Sequence, residues 1–223
     1  MLKIVNINSS TENSPCVILI SNEQMLPDGH DFYRKIKKSC GCDFNFCIVY
    51  VDDWDDALTP WETDARLNGR AFGGHGLKTL SYIVNECLPE IRKIMQPTEI
   101  YIAGYSLAGL FALWSLYNTD AFDGAVCCSG SLWYPDLTEY VRTHSLKKEA
   151  KIYLSLGRKE PKARNPLMGS VGDATRSIYE MLQADGLTKA CTFEWNEGSH
   201  FTDPEGRVAR GIEFCLCNYE VLP

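Results

Sequence analysis

Short apolar runs alternate along this chain with longer stretches of helical periodicity. The runs Leu2–Asn8, Cys16–Ile20, Phe44–Val51, Glu99–Ala103, Gly124–Cys128, Lys151–Leu156 and Cys191–Trp195 are predicted strands. Several of them, such as CVILI, CIVYV and IYIAG, are apolar almost throughout. That pattern fits strands covered on both faces, as in a parallel sheet, better than the alternation of a half-solvated one. Between the strands, apolar residues at Leu77, Leu80, Val84, Leu88 and Ile91 fall three and four apart and predict one buried helical face. Pro89 lies inside that stretch and predicts a kink or break, because proline lacks the amide proton that the helix interior needs. A second helix follows Ser106, with Leu107, Leu110, Phe111, Trp114 and Tyr117 on one stripe. A last one starts at Pro204 behind the N-cap Asp203, with Val208, Ile212 and Cys215 facing inward.

This alternation predicts an α/β fold built on a doubly wound, mostly parallel sheet of about seven strands. No repeat, low-complexity tract or linker interrupts the 223 residues, so 1–223 reads as one domain, within reach of a single core. The segment from Asp52 to Gly76 breaks the pattern, with no convincing periodicity despite Trp54, Trp61 and Phe72. Aromatic side chains are costly to leave solvated, so this segment is expected to be functional rather than loose.

Composition narrows the function classes. Lys and Arg total 22 against 29 Asp and Glu, for a net charge of −7. A nucleic-acid groove is expected to be basic and clustered, so that partner is excluded. No segment approaches the roughly 18 apolar residues of a membrane span, and the N-terminal run, broken at Asn6, does not read as a signal peptide. The ten cysteines include no C-x-x-C pair and no His at zinc spacing. They suggest buried thiols in a reducing, cytoplasmic compartment, with neither metal nor cofactor.

The strongest local signal is Tyr101-Ile102-Ala103-Gly104-Tyr105-Ser106-Leu107-Ala108-Gly109. A buried strand runs into small-x-Ser-x-small, and a helix starts at once. Small residues at Gly104 and Ala108 permit a sharp strand-to-helix turn that lifts the Ser106 hydroxyl above the sheet, near the positive helix end. A serine needs a base. Of His30, His75, His144 and His200, only His200 follows the last strand and precedes the final helix, at the strand ends where such sites gather. The third group should be a carboxylate that fixes the imidazole tautomer. Glu160, just after the strand Lys151–Leu156, is the choice; Asp173, the rival, reads better as the start of the next helix. The Leu107 N–H is the expected first oxyanion donor, with the backbone of Asn22 or Glu23 as the second.

The chain resembles an α/β-hydrolase of the esterase family that includes esterase D, enterochelin-type esterases and feruloyl esterases. The resemblance rests on Glu86-Cys87-Leu88-Pro89-Glu90-Ile91 ahead of the Ser106 turn, on Ser-Gly-Ser-Leu-Trp at 129–133 and on Gly198-Ser199-His200-Phe201. It extends from about Pro15 to the last helix and implies Ser106 as nucleophile and His200 as base; its support for Glu160 is weaker, since the acid varies in position. The stretch from Ser131 to Leu137 leaves no room for a cap domain, so the 52–76 segment would form the cleft wall. Together these readings point to a serine carboxylic ester hydrolase acting on a small-molecule ester. Trp133, Trp54, Trp61, Tyr105 and Phe201 are its candidate substrate-binding aromatics, and Arg158 or Arg164 could read an anionic group. Acyl transfer or thioester cleavage by the same residues, or a non-catalytic binding module, are the alternatives. A homodimer is compatible with the size, with no particular surface indicated.

Overall fold

The computed structural model describes residues 2–8, 13–26, 28–67 and 69–217. A seven-stranded sheet has the spatial order β1 (Leu2–Asn8), β3 (Asn45–Val51), β2 (Cys16–Ser21), β6 (Ile100–Tyr105), β7 (Gly124–Cys128), β8 (Ala150–Gly157) and β9 (Thr188–Asn196). All neighbours are parallel except the antiparallel pair of β1 and β3. Every predicted strand is thus present, most with ends moved by one to three residues. Central strands are buried along their whole length. Their alternate side chains feed two cores. Val17, Leu19, Ile48, Tyr101 and Ala103 meet α1 (Gly29–Cys40) and α9 (Pro204–Leu216) on one face. Ile18, Ile20, Val49 and Ile102 meet the remaining large helices on the other. This two-sided cover is why the strand sequences show no polar alternation.

The helix before β6 departs from the expected stripe. Helix α3 (Gly76–Tyr82) and helix α4 (Leu88–Met95) are joined by a π turn over Ile83–Cys87, in which the Leu88 N–H bonds to the Ile83 carbonyl. Pro89 follows in the first turn of α4, and the π turn just before it accommodates the amide proton that proline lacks within a continuous helical run. The inserted residue rotates the buried face onto Leu80, Ile83, Cys87, Leu88 and Ile91, leaving Leu77 57% exposed. Helix α5 (Leu107–Ser115) also differs from the single stripe expected of it. All nine of its residues are buried, because the sheet and neighbouring helices enclose it.

The irregular 52–76 segment has structure of its own. It contains α2 (Trp54–Ala57) and the antiparallel hairpin β4 (Glu62–Leu67) and β5 (Arg70–Gly73). The hairpin was missed because its sequence is mixed polar and its strands are short. Trp61 anchors it: the indole Nε1 donates to the Pro135 carbonyl at 3.2 Å, and the ring meets Tyr134 and Tyr140. Two further helices, α6 (Leu137–Thr143) and α8 (Val171–Ala184), flank β8 in sequence, and the short α7 (Pro166–Gly169) precedes α8. No cap domain is inserted between β7 and α6. Among the described residues, no helix is long and apolar enough to cross a membrane.

Candidate active site

The turn from β6 to α5 is as tight as its small residues allow. Ser106 sits at φ 60° and ψ −123°, a left-handed backbone that non-glycine residues adopt only under constraint. A Cβ on Gly104 would fall 2.3 Å from the Ala108 carbonyl carbon and oxygen, so the approach of helix to strand requires glycine there. The Ser106 N–H is held by the Cys128 carbonyl at 3.0 Å. Leu107 opens α5, and its amide is one of those with no acceptor inside the helix.

Two other loops meet this serine. His200, between β9 and α9, brings Nε2 to 3.2 Å from Ser106 Oγ. Its other nitrogen, Nδ1, lies 2.8 Å from Glu160 Oε2. A carboxylate partner makes Nδ1–H the donor and leaves Nε2 free to accept the Ser106 proton. The other Glu160 oxygen, Oε1, accepts from the Gly157 N–H at 2.7 Å, Ser129 Oγ at 2.7 Å and Arg207 Nη1 at 3.0 Å. Burial pushes the Glu160 carboxyl up, but the hydrogen bonds from His200, the Gly157 amide and Ser129 outweigh it and hold the group below the ordinary glutamate value. At neutral pH it is an anion able to orient the imidazole.

The serine, imidazole and carboxylate open on a cavity of about 480 Å³. Trp54, Leu107, Trp133, Met168 and Val171 give it apolar walls, and Ser131 places a hydroxyl 3.5 Å from Ser106 Oγ. Asp55 and Lys159 also line it. Such a volume and such walls suit a small organic ligand with few polar anchors. Among the described residues, no group of three His, Cys, Asp or Glu side chains is placed to hold a metal ion.

No protein-family model matches the chain, and no curated protein sequence does. Solved structures do. Siderophore hydrolase EstB from Aspergillus nidulans superposes with a TM-score of 0.76 at 16% identity, covering 100% of this chain and 92% of that one. An IroE-like serine hydrolase from Shewanella oneidensis gives 0.73 at 17% identity, over 95% of this chain and 74% of that one. The enterochelin esterase of Shigella flexneri gives 0.71 at 18%, over 95% of this chain and 53% of that one. The fold is that of the α/β-hydrolases.

Within this α/β-hydrolase fold the sequence-predicted residues separate into two groups. Ser106, Leu107, Glu160, His200, Trp54, Trp133 and Phe201 all line the one cavity. Phe201 stands at its edge, 86% exposed, with its ring against His200. Trp61, Tyr105 and Asn22 do not line it. Trp61 is the hairpin anchor. Tyr105 lies behind the imidazole, donating its hydroxyl to the His200 carbonyl at 2.6 Å. Asn22 closes a turn, its side chain accepting from the Met25 N–H at 2.8 Å. The rival acid Asp173 is on α8, 91% exposed and paired with Arg176. Arg158 pairs with Glu197, and neither it nor Arg164 lines the cavity. His75 pairs with Asp56 at 2.6 Å, and His144 stacks on Tyr140 at the surface.

Sequence reasoning missed Ser129, Ser131 and Arg207 as parts of this site. Ser129 and Ser131 stood in the Ser-Gly-Ser run that carried the family resemblance, after a strand end, where such sites gather. Arg207 offered only one signal, a cation on an otherwise inward-facing stripe of α9.

Proposed function

We propose that the chain is a serine carboxylic ester hydrolase acting through an acyl-enzyme. The reading is carried by the continuous relay from Ser106 Oγ through His200 to Glu160, opening on an apolar cavity. Ser106 Oγ attacks the ester carbonyl carbon while its proton passes to His200 Nε2. The negative charge that develops on the carbonyl oxygen is met by the Leu107 N–H at the positive end of α5. Asn22 and Glu23, the second donors expected from the sequence, do not line the cavity, so Leu107 is the donor proposed here. As the tetrahedral intermediate collapses, the imidazolium returns the proton to the leaving alcohol oxygen. Water, deprotonated by the same Nε2, then attacks the acyl carbon, and Ser106 Oγ recovers a proton as the acid departs. Glu160 stays ionised throughout and holds Nδ1–H toward itself.

The apolar walls at Trp54, Trp133, Met168 and Val171 favour an ester with an aryl or branched aliphatic group over a highly charged one. The same acyl-enzyme could pass its acyl group to an alcohol or be formed from a thioester, and product analysis with and without added alcohol separates these outcomes. All ten cysteines are free thiols, which suits a reducing compartment such as the cytoplasm.

The decisive test is intact-mass analysis after exposure to a fluorophosphonate. One stoichiometric adduct mapping to Ser106, absent in Ser106→Ala, supports the reading. No adduct on folded protein overturns it in favour of a non-catalytic binding scaffold.

A further inference from the structure

The final helix carries an arginine with no contact to solvent. Arg207 is 0% exposed, although the flexible, charged arginine side chain is seldom fully buried unless paired. Its place follows from the local sequence. Asp203 caps α9 by accepting from the Gly206 N–H, Pro204 takes the first helical position, and Arg207 comes one turn later. From there the guanidinium reaches the loops behind the relay. Nη1 donates to Ser129 Oγ at 2.7 Å, Glu160 Oε1 at 3.0 Å and the Tyr105 hydroxyl at 3.1 Å. Nη2 donates to the carbonyls of Ser199 at 3.0 Å and Glu197 at 3.1 Å. A Cβ on Gly157 would lie 3.0 Å from Nη2 and 2.9 Å from Glu160 Oε1, so the end of β8 is shaped to admit both groups.

Each contact belongs to a different part of the site. Tyr105 precedes the nucleophile, Ser129 follows β7, Glu160 follows β8, and Glu197 and Ser199 lead into the turn that carries His200. We propose that Arg207 is the positioning residue of the relay, a buried cation that sets both the orientation of Glu160 and the placement of the His200 loop. This rests on the serine hydrolase reading.

Two effects follow from the geometry. The first is orientation. Arg207, Ser129 and the Gly157 amide all engage Oε1, which among the described residues leaves Oε2 to His200. Meanwhile the Tyr105 hydroxyl, itself bonded to Arg207, holds the His200 carbonyl. The second is charge. The guanidinium balances the Glu160 carboxylate, so the imidazole does not face an uncompensated anion. Without that balance the imidazolium would be favoured, and the base would be occupied by a proton at a higher pH. Among the described residues, the other charged or titratable groups that pack on the imidazole or line its cavity are Tyr105 from β6, Lys159 beside Glu160, and Asp55 from α2. Glu197 is engaged by Arg158, and Asp203 by Arg210. None of these is both charged and hydrogen-bonded to Glu160.

The test compares Arg207→Lys, Arg207→Met and the double variant Glu160→Gln/Arg207→Met in the full chain. Turnover of p-nitrophenyl acetate is followed against pH, folding is checked by circular dichroism, and the His200 C2–H resonance is titrated by NMR with His200→Ala for assignment. In Arg207→Met the acid limb of kcat/KM and the His200 titration midpoint both move up by about one pH unit, and kcat falls by about 100-fold. Arg207→Lys keeps the limb within a few tenths of a unit of wild type but loses about tenfold in kcat, because the charge remains and the fork is gone. In the Glu160→Gln background, adding Arg207→Met no longer moves the His200 midpoint and costs less in kcat than it does in wild type, because only the hold on the His200 loop remains to be lost. If Arg207→Met does not fold, the lysine variant and the double variant, in which both members of the pair are neutral, carry the test. A folded Arg207→Met with an unmoved limb and midpoint, or independent multiplicative losses in the double variant, overturns the proposal. Ester turnover that survives Ser106→Ala overturns the hydrolase reading instead, and the NMR midpoint still reports on Arg207.

Discussion

Glu160 Oε2 and His200 Nδ1 meet at 2.8 Å although 40 residues separate them along the chain. The carboxylate is at the end of β8 and the imidazole just past β9, and parallel pairing of the two strands brings those ends together. The contact is buried on the carboxylate side and half-open on the imidazole side. That asymmetry suits a base that must meet substrate while its orienting anion stays dry.

Glu160→Gln is therefore expected to lower kcat by about 1,000- to 10,000-fold, because an amide holds the imidazole in the wrong tautomer. Ser106→Ala and His200→Ala should each remove turnover by a similar or larger factor. Asp173→Asn, on an exposed carboxylate paired with Arg176, should leave kcat within about twofold of wild type. Steady-state kinetics on the four variants checks this, and a large loss in Asp173→Asn would transfer the acid role.

The state of Glu160 also sets a pH dependence. Its folded value lies below its unfolded one, so its ionisation stabilises the fold at neutral pH, and this contribution is lost as pH falls through the folded value. Urea unfolding of wild type and Glu160→Gln at several pH values should show a stability difference that shrinks in acid. A difference independent of pH would contradict the hydrogen-bonded anion.

Gly104→Ala should cost about 1–3 kcal/mol, since the new methyl meets helix backbone that has no room to yield. The expected result is a Tm lower by several degrees together with weakened labelling of Ser106. Thermal melts and fluorophosphonate titration measure both, and an unchanged Tm would mean that the turn is looser than its geometry indicates.

Trp54 and Trp61 should behave differently although both lie in the 52–76 segment. Trp54→Ala removes a cavity wall and should raise KM for an aryl ester by about tenfold, with little effect on turnover of a small alkyl acetate or on Tm. Trp61→Ala removes the anchor against Pro135, Tyr134 and Tyr140 and should lower Tm first. Paired KM and Tm measurements separate the roles; equal KM effects would place Trp61 at the substrate.

Much of this protein follows from local sequence alone. Runs such as CVILI and IYIAG can be satisfied only by burial on both faces, so the parallel sheet and its strand positions follow from composition and length. Gly104-Tyr105-Ser106-Leu107-Ala108 specifies its own turn, because small residues and a strand-to-helix switch are local properties. The cap Asp203-Pro204 is local in the same way. The rotated face of α3 and α4 was not local, since the π turn that hides Ile83 and exposes Leu77 depends on packing against the sheet. Neither was the sorting of the aromatics: Trp54 and Trp61 are alike in sequence, and only the partners brought by distant strands make one a cavity wall and the other an anchor. Arg207 is the clearest case. One of two arginines on α9, it reads as a solvated charge until four strand ends converge on it, and that convergence is a property of the sheet's parallel order rather than of any residue near it in the chain.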